Sequence, residues 1–545
     1  MTTDEIDDGR SSIRSSDRGD QGDDQGYDQK ILTTFSGFAG NVNNMLGSGI
    51  YSTPGIVWQT VNSPGVALII WIYGGFVSLC GSLTYVEFGT ITLESGGETG
   101  FFKKAFPKPK LLISYLFSFA WICAIRPASL GAVLQVLAQH FLFVVIPHPP
   151  ENTGNTTVDE HEYCQASEKF HRQLHPNNDW GLEFWTLKII GIIALSIITF
   201  YHIFSNVWAS RINQAPAVVK MLTLTVIISI GFVQLVRTDV SKPNWQNPFY
   251  VTENLSFSSV AGALISVFFA YNGWNNLNYS LDEFKDPKGR LIYSNSLSVT
   301  VVTILYTLTN VAFITVVNSK DVNRHGKDFN EVIAGNFAKE IGGEKFGRAL
   351  SFFVALSAFG AASSMTWRFL DDKKYTPRNA LLAQFIWCVM VFVILGGAFS
   401  SDPFKTLSDF STYFAWIFYF LASIGLLWLR YKEAEIDRSF KVPNSLIAIF
   451  ICSAIFIIIG NAIKKDIPKP STSDYDDCQK NAITIDQYII PIICGGFLFV
   501  GAGCWCISYF RSGGNSRNNN IRGDVSSENR DNNDNSDNKI VSTSL

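Results

Sequence analysis

The sequence predicts an all-α polytopic membrane protein of about twelve transmembrane helices. Three observations carry that reading. Long uncharged apolar runs of helix length recur along the chain, too long for the roughly 10-residue alternating strands of an outer-membrane barrel. The mean hydropathy is positive, with 47% apolar and 14% aromatic content over 545 residues, and the uncharged runs this content supplies are longer than a water-soluble core explains. Two of the runs are interrupted by glycine at corresponding places, and such breaks are tolerated at membrane depth only where the freed backbone lines a cavity or meets protein.

Taken in order, the first span, Thr33 to Trp58, is broken at Leu46-Gly47-Ser48-Gly49-Ile50-Tyr51. The second, Gly65 to Thr92, holds one acid, Glu87, and the third, Leu111 to Ile146, one base, Arg126. Phe184 to Phe204 and Gln214 to Val236 follow, the latter containing Lys220 between Val219 and Met221. The sixth, Phe257 to Leu281, is broken at Ala270-Tyr271-Asn272-Gly273-Trp274-Asn275. Ser294 to Val317, Gly347 to Trp367, Asn379 to Ser400, Phe404 to Leu429, Val442 to Ile463 and Gln487 to Tyr509 complete the set. The domain organisation is therefore a tail over 1–30, a membrane domain over 31–510 and a second tail over 511–545, the tails being rich in Asp, Gly, Ser and Asn and expected to be disordered. The charged start lacks the apolar core and cleavage site of a signal peptide, so insertion is expected to rely on the first span.

The net charge of −3 mixes loops from both sides of a membrane. With a cytoplasmic N-terminus the short inner loops carry Lys103, Lys104, Lys108 and Lys110, then Arg211, then Lys285, Lys288 and Arg290, then Arg368, Lys373, Lys374 and Arg378, then Arg430, Lys432, Arg438 and Lys441. The positive-inside rule favours that orientation, although the outer stretch from Lys320 to Lys345 also holds lysines. The acidic outer loop from His148 to Glu183 contains Asn155-Thr156-Thr157, a glycosylation sequon. A multi-pass plasma-membrane protein with both termini cytoplasmic is expected. Cys164 and Cys478 fall in outer loops where a disulfide is permitted, or are two unrelated thiols. The other seven cysteines read as small packing residues.

At the first break, Gly47 and Gly49 flank Ser48, and Pro54-Gly55 follow. A helix that stops and restarts here turns the amides of its second half toward the membrane centre, a site for a carboxylate. The plainer alternative is close packing of small residues. At the second break, freed carbonyls beside Phe268 and Phe269 suit an ammonium group and an apolar moiety. Carbonyls and helix-end amides together make a dipolar cradle for a zwitterion. Lys220 is costly in an apolar span and hence a functional candidate, placed against carbonyls freed at the first break where a sodium ion would otherwise sit. Its alternative is to snorkel to the interface. Glu87 and Arg126 each need a partner or a wet cavity, and are read as structural charges pairing with one another or with polar groups of other helices.

The ordered set Gly47-Ser48-Gly49-Ile50 with Pro54-Gly55, Tyr85-Val86-Glu87-Phe88-Gly89-Thr90 with Ser95-Gly96-Gly97-Glu98, Arg126-Pro127-Ala128-Ser129, Ala217-Val218-Val219-Lys220, and Phe269 to Asn278 with Asp282-Glu283-Phe284-Lys285-Asp286-Pro287 resembles the amino acid-polyamine-organocation superfamily. Within it the match is to the L-type amino-acid transporters and their fungal methionine-permease relatives, from Thr33 to about Leu429. The resemblance implies two inverted five-helix repeats plus two further helices, with helices 1 and 6 broken around the substrate. It assigns the α-carboxylate to Gly47, Ser48, Gly49 and Ile50, the α-amino group to Phe269, Ala270 and Asn272, and the aromatic gate to Phe269. Lys220 takes the place of the family's fifth-helix lysine, with Ser363 and Ser364 as hydroxyl neighbours. Metazoan members bond to a heavy chain through a loop cysteine; the loop holding Cys164 is much longer here, so no heavy-chain subunit is expected. The sequence departs from the family after Met365-Thr366-Trp367, where relatives carry a longer helix extension and a further short helix.

The function expected is alternating-access transport of neutral L-amino acids, methionine or other large apolar ones, with the lipid bilayer as the other partner. Sodium-independent transport is preferred, with proton symport and exchange open. The alternatives are a non-transporting nutrient receptor and a transport-impaired splice form. An enzyme is not expected: the spans hold no paired aspartates, zinc-type histidine spacing or Ser-His pairing, and no cofactor, metal or nucleic-acid partner is called for.

Overall fold

The computed structural model describes residues 33–92, 95–145, 182–204, 206–237, 242–250, 255–284, 286–319, 322, 332–367, 378–398, 402–435, 438–463 and 489–523. Every regular element among them is a helix. Span one is α1 (Thr34–Met45) and α2 (Gly49–Val61), and span two is α3 (Pro64–Thr92), followed by the short α4 (Glu98–Ala105). Span three is α5 (Leu112–Ala120) continued through a π-turn (Trp121–Ile125) into α6 (Arg126–Val145). Spans four and five are α7 (Leu182–Phe204) and α8 (Asn206–Val236), with the short α9 (Lys242–Gln246) after them. Span six is α10 (Phe257–Tyr271) and a loose stretch with 3-10 turns at Asn276–Tyr279 and Leu281–Glu283. The rest are α11 (Pro287–Val316), α12 (Ile333–Trp367), α13 (Arg378–Val393), α14 (Pro403–Lys432), α15 (Asn444–Ala462) and α16 (Ile489–Gly523). The last of these runs on into the stretch expected to be a tail.

Ten helices among the described residues are long and apolar enough to cross a membrane. The two remaining spans are the broken ones, since a break shortens each piece: α10 is an apolar helix of 15 residues. Local chemistry accounts for the other irregularities. Pro127 has no N–H for the carbonyl of Cys123 one turn earlier; the π-turn lies just before it, and that carbonyl accepts instead from the Trp387 indole of α13 at 2.8 Å. The loops into α11 and α14 end in Asp-Pro, with Asp286 capping Gly289 and Asp402 capping Lys405. Within α12 the backbone leaves helical geometry at Gly342 and Gly343.

Helix pairing repeats along the chain. Span two packs on span seven and span three on span eight. The contact of α1 with α11 is mirrored by that of α10 with α3, and the contact of α8 with α12 by that of α14 with α6. Spans one to five thus occupy the roles of spans six to ten. Because five is odd, the second set enters the membrane from the opposite side, so the repeats are inverted, and α15 and α16 are the additions.

The interior holds polar and ionisable side chains, among them Glu87, Arg126 and Lys220, within a largely apolar core, while Ile189, Ile193, Ile197, Phe200 and Phe204 form an exposed stripe on α7 of the kind that faces lipid. Of the cysteines, Cys80, Cys388 and Cys494 are buried as packing residues, whereas Cys452, Cys504 and Cys506 lie on exposed faces. Among the described residues Glu87 pairs not with Arg126 but with groups of α14 and of the loop that follows it. It is clamped by Arg430, by Arg438 at 3.5 Å and by the Val442 amide at 2.8 Å, which ties the end of α3 to α14 and the loop that follows. Asn155, Cys164, Cys478, the N-terminal tail, residues 524–545 and the short segment after Trp367 lie outside the described residues.

Candidate functional site

The two breaks meet. An added Cβ on Gly49 would stand 2.7 Å from the Ala270 Cα, so only glycine lets the start of α2 lie on the end of α10. Gly273 has φ +110°, in the region that favours glycine, and packs on the Asn44 backbone. Each break frees carbonyls. The Gly47 amide turns back to the Met45 carbonyl at 2.7 Å instead of continuing the helix to Asn43. The Asn272 amide bonds Phe269 at 3.2 Å. Tyr306 of α11 lies between them: its hydroxyl reaches the Met45 carbonyl at 2.6 Å and the Ala270 carbonyl at 3.0 Å, one freed group from each break.

On the other side of the first break, Lys220 is buried, which removes the snorkelling alternative. Its Nζ lies 3.4 Å from the Asn43 carbonyl, the one released by Gly47, and 3.5 Å from Asn43 Oδ1. The Lys220 carbonyl in turn accepts from Tyr51 of α2 at 3.2 Å, so the two halves of span one are both tied to α8 through this residue. Ser48 stands at the start of α2 with its hydroxyl buried and without a partner. The Tyr51 amide bonds the Ser48 carbonyl at 3.1 Å, while the Gly49 and Ile50 amides at the head of α2 have no intrahelical carbonyl to bond. A buried hydroxyl and helix-end amides together favour an oxyanion.

A single cavity is walled by both breaks. Gly47, Ser48, Gly49, Phe269, Ala270, Asn272 and Lys220 line it, as does Ser364 of α12. Ile50 is buried beside the break and Ser363 accepts from Tyr201 of α7; neither is among the lining side chains. Phe269, on the cavity wall, packs edge-on against Phe404 of α14, with ring centroids 5.6 Å apart. Trp121, Arg126 and Met365 also line the cavity. Arg126 lies on the cavity wall and donates to the Met365 carbonyl of α12 at 2.7 Å. Met45, Val133 and Ala361 make the wall partly apolar.

Several of these residues carry no sequence signal of their own. Tyr306 is one aromatic in an apolar run. Asn41 joins α1 to α11 through Ser298 at 2.7 Å and Asn295 at 3.1 Å, and reaches the Trp274 carbonyl at 3.5 Å. An asparagine two turns ahead of a glycine break was the available hint. Among the described residues no cluster of His, Cys, Asp and Glu has the makings of a metal site.

A family model described as amino acid permease matches residues 32–369 and 366–475. The two pieces meet where the segment after Trp367 is short. The chain is 25% identical over 457 residues to the b(0,+)-type amino acid transporter 1 of Mus musculus, covering 80% of this chain and 83% of that one. It is 25% identical over 456 residues to the Homo sapiens cystine/glutamate transporter, covering 79% and 80%. To the Homo sapiens large neutral amino acids transporter small subunit 2 it is 26% identical over 443 residues, covering 77% and 73%.

Proposed function

This chain belongs to the amino acid permease family, and from that premise we propose that it carries neutral L-amino acids, methionine and other large apolar ones among them, by alternating access. The membership makes it a multi-pass membrane transporter rather than an enzyme. The observation that carries the substrate reading is the pairing of opposite polarities at one cavity. The amides and the unpartnered Ser48 hydroxyl offer themselves to a carboxylate, while the broken end of α10 offers carbonyls to an ammonium group. Met45, Val133, Phe269 and Ala361 supply apolar surface for a side chain.

Lys220 takes the place of a coupling cation in this reading. Its ammonium lies against a freed carbonyl, as a sodium ion would, which supports sodium-independent transport. Phe269 acts as the gate over the site, Ile50 adds its amide to the carboxylate end, and Ser363 and Ser364 of α12 complete the surroundings of the lysine. The site works in the plasma membrane with both termini cytoplasmic and without a heavy-chain subunit.

The test is uptake into proteoliposomes across a panel of amino acids, with and without sodium or a pH gradient. Uptake of neutral amino acids independent of sodium is expected. Lys220→Ala abolishes it while leaving surface expression intact; unchanged uptake in that variant overturns the role given to the lysine. The shortened segment after Trp367 bears on a second reading, a chain that binds but does not carry. Binding without accumulation by the wild type would select it.

A further inference from the structure

A second buried acid lies next to the second break and is unused by the reading above. The turn Ser95-Gly96-Gly97, with φ +120° at Gly96 and +53° at Gly97, brings Glu98 at the head of α4 beneath the loose stretch of span six. Glu98 is fully buried. Its Oε1 accepts from Asn275 Nδ2 at 2.8 Å and its Oε2 from the Tyr279 hydroxyl. Two further bonds join the same segments: the Gly97 amide to the Asn278 carbonyl at 3.1 Å and the Asp282 amide to Ser95 Oγ at 3.0 Å. The groups facing Glu98 from the packed elements are Tyr85 of α3, Tyr279 of span six and Tyr419 of α14; Arg126 of α6 acts on Tyr279. Among the described residues no basic side chain forms an ion pair with Glu98, in contrast to Glu87 with its two arginines.

We propose that Glu98 is a proton-binding site that controls the second break: ionised, it clamps Asn275 and Tyr279 to α4, and protonated, it releases them. The inference rests on the transporter reading. The chemistry is a matter of acceptors. A carboxylate accepts from both donors, and hydrogen bonds to a charged group are about twice as strong as neutral ones. Adding the proton turns one oxygen into a donor that confronts an N–H or O–H already pointing at it. The loosened stretch begins at Asn272 and includes Asn276, both on the cavity wall, so the proton acts on the face of the site that carries α4, the cytoplasmic one in the orientation proposed above.

Burial holds the Glu98 carboxyl above the usual carboxylate range, against the opposing pull of the Tyr279 and Asn275 hydrogen bonds. The sign follows. The clamp is complete above this raised value and is lost as pH falls through it, so acid on the α4 side speeds opening.

The experiment is amino-acid exchange in proteoliposomes as a function of pH on the α4 side, joined to pH-difference infrared spectroscopy of the purified full chain. The wild type gains roughly tenfold in exchange rate on acidification, the scale of losing a hydrogen bond to a charge. Glu98→Gln is fixed at the acid-limb rate at every pH. Tyr279→Phe removes a donor to the ionised form and moves the midpoint to higher pH, a shift that a merely structural tyrosine does not produce. A protonated-carboxyl infrared band grows in on acidification and is missing in Glu98→Gln. A flat wild-type profile with uptake intact, a Glu98→Gln profile like the wild type, or no Glu98 band overturns the proposal. Absence of any exchange by the wild type, with the band present, overturns the transport reading instead and leaves the proton site standing.

Discussion

The first break and the second solve the same problem, an interrupted helix inside a membrane, in different ways. The first is a corner only three residues long, Leu46 to Ser48, and it is pinned by the backbone contact of Gly49 on Ala270 and by the single residue Lys220, whose ammonium reaches the Asn43 carbonyl and whose carbonyl accepts from the Tyr51 hydroxyl. The second runs from Asn272 to Glu283 and is held by side chains reaching in from outside, Tyr306 and Asn41 at its head and Glu98 and Ser95 along its length. Backbone contact against a packed helix has no low-cost alternative arrangement, whereas side-chain hydrogen bonds are each worth only about 0.5–1.5 kcal/mol net. The difference assigns the parts: the first break is the fixed jaw of the site and the second the jaw that moves.

Substitutions at the two glycines break this comparison most directly. Gly49→Ala puts a methyl 2.7 Å from a backbone atom that no rotamer change can move aside; overpacking of this kind costs about 1–3 kcal/mol, and uptake is expected to fall on the order of 100-fold with a lowered melting temperature in detergent. Gly273→Ala meets strain at φ +110°, but its stretch is long enough to take up the distortion. Its uptake is expected to fall roughly tenfold, for a strain of about 1–3 kcal/mol partly relieved. Equal losses in the two variants, measured at matched expression, refute the distinction between the jaws.

Tyr306→Phe comes next. The hydroxyl serves the Met45 and Ala270 carbonyls together, but Met45 keeps the Gly47 amide as a second donor. The loss therefore falls on the second break. A lowered melting temperature is expected, for a buried carbonyl left unsatisfied at about 1–3 kcal/mol. Faster proteolysis or hydrogen exchange should be confined to 270–283. Protection lost equally over 45–51 contradicts the assignment.

The sequence exposed this architecture unevenly, and for physical reasons. Both breaks were legible because glycine inside an apolar run weakens the helix it sits in and so marks a bend or a close approach. Lys220 was legible because an ammonium in an apolar span is too costly to be idle. The same breaks hide spans one and six from a test of length and apolarity. Tyr306 and Asn41 were not legible: which carbonyl a break frees can be counted from the chain, but which side chain comes to meet it depends on how α11 packs. Arg126 was visible as a charge in need of a partner, but that the partner is the backbone carbonyl of Met365 is something no charge pattern records. Glu98 stood in plain view within Ser95-Gly96-Gly97-Glu98, yet the glycine turn that buries it is a matter of conformation rather than composition.

The smallest effect separates a binding group from a structural one by sign. The Ser48 hydroxyl is buried without a partner, and an unsatisfied buried donor costs about 1–3 kcal/mol. If its purpose were to hold the corner at Leu46 to Ser48, Ser48→Ala would lower the melting temperature. If it is kept waiting for a carboxylate, removing it relieves the cost in the empty protein and withdraws one hydrogen bond from the occupied one. The expected result is an empty-state melting temperature equal to or slightly above that of the wild type, together with amino-acid affinity weakened by roughly threefold to tenfold. Affinity must fall without a fall in melting temperature, because the fixed jaw stands on the Gly49 contact and on Lys220 and loses neither when the hydroxyl goes.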